Sequence, residues 1–144
     1  MAAMQVFLER LERPDIRDLY RDLDERWNRR AAALNQRFLD IGVPVQVASL
    51  STVWTLLYNR PSRYHWMFQF YLRAEGIALS WVGSGRLIFS LDLGDADFEE
   101  IAARMVRAAQ AMDRDGWWWS DSTLTERSIR RTLLREMLRE VFSP

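Results

Sequence analysis

Apolar residues recur every third or fourth position over most of this chain and alternate singly over a shorter central part. Residues 3–11 read as a helix. Pro14 then restarts the pattern at a first-turn position, with Asp15 favourable to the helix dipole. Ile16, Leu19, Leu23, Trp27, Ala31, Leu34 and Phe38 predict one long amphipathic helix that Gly42 ends. Its other side, with Arg17, Arg21, Asp22, Arg26, Arg29 and Arg30, reads as a solvated face. Residues 43–58 predict two β segments broken near Ser49-Leu50-Ser51, because Val43, Val45 and Val47 alternate with polar or small residues.

Residues 59–76 predict a third helix, capped at Ser62, stopped at Gly76 and carrying Tyr64, Trp66, Phe68, Phe70 and Tyr71. A helix apolar on more than one side is sandwiched between layers or faces a partner. A strand over 77–82, a turn over 83–85 and a strand over 86–91 follow. Phe98, Ile101, Ala102, Met105, Val106 and Ala109 then match the helical template. Gly94 or Asp95 caps that helix, and Asp95, Asp97 and Glu99 load its positive end with negative charge. After Gly116 and the run Trp117-Trp118-Trp119, a last helix over 123–142 opens on the capping box Thr123-x-x-Glu126. Ile129, Leu133, Met137 and Val141 form its apolar stripe, and residues 116–122 read as a hinge onto the body. The order ααβ-β-α-β-β-αα predicts an α+β fold: a small, largely antiparallel sheet packed against amphipathic helices.

Composition narrows the chemistry. The 144 residues suit one domain, and 49% apolar with 28% charged content is that of an ordinary soluble globular chain. No run reaches the ~18 apolar residues of a membrane span, and no signal-peptide pattern opens the chain. Zero cysteines exclude disulfides, thiolate metal sites and a cysteine nucleophile, so a reducing cytoplasm is the expected compartment. The single histidine, His65, leaves triad chemistry and multi-histidine metal sites hanging on one residue. All 20 basic residues are arginine, so no Schiff base can form through a lysine and no P-loop lysine exists. A net charge of +0 attracts neither nucleic acid nor an anionic membrane.

The stretch Gly83-Ser84-Gly85-Arg86 decides where a site can be sought. A phosphate loop runs from a strand into a helix N-terminus, whereas here a strand follows and the third glycine position of G-x-G-x-x-G is Ile88. A hairpin turn is the reading the pattern supports, and such a turn can still border a site. Arg86 begins the next strand, where a guanidinium could pair bidentately with a carboxylate or simply face solvent or an interface. His65, without a visible partner, reads as packed or surface. The Trp117–Trp119 run reads as packing or partner contact. Arg127, Arg130, Arg131, Arg135 and Arg139, interrupted by Glu126, Glu136 and Glu140, read as a salt-bridged exposed face. These residues contain no complete catalytic set.

From about residue 10 to 119 the chain resembles the C-terminal small domain of class III, pyridoxal-phosphate-dependent aminotransferases. It looks closest to the glutamate-1-semialdehyde aminomutase branch. The resemblance rests on three phrases in order: "RFLDIGVPVQV", "YLRAEGIAL" and "GRLIFSLDLGDADFEEIAARM". The aminomutase branch has a loop glutamate where this chain has Gly85. The ornithine and acetylornithine branch has, at the same strand start, an arginine that binds the substrate α-carboxylate, and Arg86 stands there. The resemblance implies the α+β fold of the fold-type I C-terminal domain for residues 1–119, with 120–144 a helical extension. It implies a substrate pocket edge at the turn, with Arg86, Ser84 and Trp81 as substrate-binding residues and no catalytic residue in this chain. It implies pyridoxal phosphate for the whole enzyme, not bound by this chain alone. The implied partners are the missing large domain or a second subunit, an amino-acid-like carboxylate substrate, and a second copy in a homodimer of the full enzyme. Neither nucleic acid nor membrane is expected. A stand-alone binding or dimerisation module, with the aromatic helix and the Trp run as interface, is the rival reading. An RNA-binding domain using the arginines is a third.

Overall fold

The hydrophobic stripes of the helices and one side of a small sheet close on each other around two tryptophans. The computed structural model describes residues 2–79 and 85–142, with the side chains of 4–79 and 85–139. Helices α1 (Ala2–Leu11), α2 (Pro14–Arg21) and α3 (Leu23–Asp40) lead into strands β1 (Val45–Leu50) and β2 (Val53–Tyr58). A 3-10 turn, His65–Met67, runs into α4 (Phe68–Ala74); β3 (Arg86–Ile88), α5 (Asp95–Arg114) and α6 (Glu126–Phe142) complete the chain. The sheet has order β1-β2-β3 and both pairings are antiparallel. The fold is α+β.

The long second helix is two helices. The backbone leaves helical geometry at Asp22 (φ −119°, ψ 25°), with neither Gly nor Pro to mark the place. The physical reason is what each part can bury. Leu23, Trp27, Ala31, Leu34 and Phe38 of α3 are in the core, whereas α2 buries no residue. The aromatic helix is shorter than its pattern, beginning with the turn at His65 rather than at residue 59. Ser62 caps no helix; its Oγ accepts the Tyr64 N–H at 3.2 Å, a local turn that follows Pro61. Gly76 does stop α4: it takes φ +81°, and the next amide, Ile77 N–H, donates to Leu72 O at 2.8 Å. A side chain there would also meet Arg104 Nη1 at 2.9 Å.

Residues 77–79 carry no strand, and the rest of that expected strand lies outside the described residues. The 86–91 strand ends at Ile88. Phe89 N–H still donates to Thr52 O, but Ser90 Oγ then accepts the Asp92 N–H and turns the chain toward α5. Gly94 is the N-cap of α5, its N–H donating to Asp97 Oδ2 at 3.3 Å. The box that opens α6 is Thr125 with Ser128, not Thr123 with Glu126. Ser128 N–H donates to Thr125 Oγ1 and Thr125 N–H to Ser128 Oγ. The Thr123 hydroxyl instead donates to Asp121 Oδ1 at 2.6 Å.

At the core, Trp27 of α3 meets Trp54 of β2 edge-on with ring centres 5.7 Å apart, and stacks on Phe89 at 4.9 Å. Phe98 of α5 closes the cluster against both tryptophans. Arg30, read from the sequence as solvated, is buried among them at 8% exposure. Its guanidinium carbon lies 4.6 Å over the Trp27 ring and 5.2 Å over Phe98. Nε and Nη2 donate to Asp95 Oδ1 at 3.2 and 2.7 Å, and Nη2 also to Leu93 O. The spacing Leu23, Trp27, Arg30, Leu34 puts it on the buried stripe, a signal its charge concealed. Of the tryptophan run, Trp118 is in the core with Nε1 donating to Ala109 O at 3.0 Å, while Trp119 is half exposed.

Candidate functional site

Alternation along the strands sends every second residue away from α3 and α5. Val45, Val47, Trp54, Leu56 and Leu87 point inward and are buried. Gln46, Ala48, Leu50, Val53, Thr55, Leu57, Arg86 and Ile88 take the outer face. The pairing arranges them in three rows: Gln46 with Leu57, Ala48 with Thr55 and Arg86, and Leu50 with Val53 and Ile88. Four of the eight are large apolar residues in contact with solvent, with Leu50 80% and Ile88 76% exposed. An open face of this composition marks an interaction surface more often than a solvated sheet does.

Arg86 lies in the middle row of that face. It is exposed and makes no ion pair among the described residues. Its position is set by Gly85, whose carbonyl accepts the Leu56 N–H at 3.1 Å. Gly85 takes φ +63°, and a Cβ there would press within 3.3 Å of Leu56 Cβ. Glycine at this point therefore lets the backbone of residue 85 seat directly on β2 just before β3 starts with the arginine. Ser84 and Trp81 lie outside the described residues.

At its Gln46–Leu57 end the open face runs into a cavity of about 740 Å³. Tyr58, Arg60 and His65 line one side, and Leu124 with Glu126, Ile129 and Arg130 of the first turns of α6 line the other. His65 stacks on Tyr58 with ring centres 4.0 Å apart, and its carbonyl accepts the Tyr58 hydroxyl at 3.3 Å. Burial pushes the Tyr58 phenol up to about 12 and lowers the His65 imidazole from its ordinary 6.5. Both groups are thus held neutral near pH 7, as packed residues are. His65 fills a packing role, in keeping with its lone position in the sequence. Leu57 and Gln46 went unnoticed as site residues, although the alternation in Val53–Tyr58 already places Leu57 with Val53.

Among the described residues no group of three or more His, Asp or Glu side chains could hold a metal ion. Among the described residues no helix is long and apolar enough to cross a membrane. Among the described residues the arrangement is a largely apolar face, an arginine on it without an ion pair, and a cavity at its rim. No protein-family model matches the chain, and no curated protein matches it significantly.

Proposed function

We propose that the chain is the substrate-closing small domain of a pyridoxal-phosphate-dependent enzyme, of the class III aminotransferase or glutamate-1-semialdehyde aminomutase-like kind. It meets the cofactor-bearing unit through the open face of its sheet. The observation that carries this reading is Arg86, a guanidinium without an ion pair among the described residues, set in a face that otherwise carries no charge. Covering such a face desolvates the cation, which then requires a carboxylate. An amino-acid-like substrate held between the two units supplies one, bidentate to the guanidinium. The residues of this chain do not fit the cofactor itself, since the sequence has no lysine for its attachment. The cofactor belongs to the other unit, and the part of this chain is to bind the carboxylate and exclude water.

The test is reconstitution with the cofactor-bearing unit, found by measuring the intact mass of the native protein or by capturing its partner. Arg86→Ala should raise the apparent KM for carboxylate substrates about 10- to 100-fold, the loss of a hydrogen bond to a charged group. An unchanged KM removes the assignment. A second reading, a stand-alone dimerisation module, is favoured by one observation: Met4, Val6, Phe7 and Leu8 of α1 are all more than half exposed. It predicts a concentration-independent dimer with one cooperative melt and no need of a cofactor-bearing unit.

A further inference from the structure

Helices α5 and α6 are both long and amphipathic, yet only α5 has its stripe covered. Phe98, Ala102, Met105, Ala109 and Met112 of α5 are buried, whereas Leu133, Leu134, Met137 and Leu138 of α6 are between 40% and 64% exposed. Among the described residues, helix α6 meets the body at its start and again further along. Ile129 of its first turn, with Leu124 just before the helix, lines the same cavity as Gln46 and Leu57 of the open sheet face. Further along, Arg63 Nη1 and Nη2 donate to Glu136 Oε1 and Oε2 at 3.3 and 2.8 Å. The helix therefore begins at one edge of the open face and then leaves that face bare.

We infer that α6 is a strap that closes over the open face of its own sheet, Glu136 exchanging Arg63 for Arg86. Two uncovered apolar surfaces that already adjoin at one end are each other's nearest cover. Their dimensions agree. Successive rows of the face are two residues apart, about 7 Å along the strands. Each four-residue step on α6 advances about 6 Å. With Ile129 at the Gln46–Leu57 row, Leu133 comes over the row of Arg86 and Met137 over that of Val53 and Ile88. Glu136 lies three residues, about 4.5 Å, beyond Leu133 on the flank of the same stripe, between the rows of Arg86 and Ile88 and within the reach of the long Arg86 side chain. What holds the strap open is one part-exposed ion pair, a class of contact that is weak and screened by salt. The pivot is the segment 121–125, which is outside any helix, while Ser120 before it stays tied to Pro61 O at 2.7 Å. The closed strap occupies the surface that the cofactor-bearing unit would need. This regulatory consequence rests on the function proposed above, whereas the closure is a property of this chain alone.

Because the sequence has no cysteine, two can be introduced without interference. The full chain carrying Val53→Cys and Met137→Cys, treated with a mild oxidant, should form a disulfide within the monomer. It should run faster on a non-reducing gel. Adding Arg63→Gln should speed this roughly two- to fivefold, the population change that losing an exposed ion pair allows. No disulfide overturns the inference, and so do disulfides formed only between chains, which would make a second copy the occupant. If the double-cysteine chain fails to melt cooperatively, binding of an apolar dye to the cysteine-free chain decides. Leu133→Asp with Met137→Asp should brighten the dye severalfold by baring the sheet, and equal or weaker emission overturns the closure. None of these outcomes depends on whether the chain serves a cofactor enzyme.

Discussion

The two faces of the three-stranded sheet are made from the same kinds of residue and have opposite fates. Inward, Val45, Val47, Trp54, Leu56 and Leu87 are sealed under α3 and α5. Outward, Leu50, Val53, Leu57 and Ile88 meet solvent. Each face also has an arginine beside it. Arg30 lies under the inner layer with two aromatic rings and a carboxylate around it, while Arg86 stands on the outer face with no ion pair among the described residues. Arg30 is held by rings and a carboxylate, with Nη1 left as a buried atom without a hydrogen-bond partner among the described residues, whereas Arg86 is left at the surface. Apolar content alone does not distinguish core from open face, and what packs over each does.

The largest effect should come from the inner face. Trp54→Ala removes the ring that joins Trp27, Phe89 and Phe98, and should cost about 3–5 kcal/mol in denaturant unfolding. Ile88→Ala on the outer face should cost less than about 1 kcal/mol, and equal costs would erase the distinction. The arginine pair gives a smaller contrast. Arg30→Ala leaves Leu93 O without its donor and unpacks two rings, so it should lower stability by roughly 1–3 kcal/mol. Arg86→Ala should leave the melting curve in place, since the side chain is exposed and makes no ion pair among the described residues.

The smallest effect is on pH. The folded-state pKa of His65 lies below its unfolded value of 6.5, so the unfolded chain takes up the proton first. Stability should therefore fall as pH drops below about 6.5 and continue to fall until the folded imidazole also protonates. His65→Gln should flatten the melting temperature between pH 7.5 and 5. Asp95, Glu99, Glu100 and Asp121 are held below the usual carboxylate range, the first three by arginines and Asp121 by Thr123. The stability they confer is lost only at lower pH, outside that window. An unchanged slope in the variant would place the pH response elsewhere.

Much of the frame was readable along the chain. The β1–β2 break at Ser51, the stop at Gly76 and the buried stripe of α5 each follow from local chemistry: a turn, a left-handed residue, a 3.6-residue period. Arg86 was singled out by its place at a strand start together with the resemblance, and it does begin β3. Other features were not readable. The break at Asp22 has no local breaker, since it arises where the core ends. Arg30 carries a charge that argues for solvent, and only the rings and Asp95 around it reverse that. Thr125 displaced Thr123 as a cap because Asp121 claimed the Thr123 hydroxyl. The 86–91 strand ended early because Ser90 turned the backbone.

By itself the sequence determined the inventory: two alternating apolar sets on the strands, amphipathic helices at known spacings, no lysine and no cysteine. A period of two treats the faces of a sheet alike, so it cannot say which one becomes core. That was decided by α3 and α5 packing on a single side, contacts between residues far apart in the chain. The tertiary structure alone therefore separates the residues that hold this protein together from those it leaves at the surface.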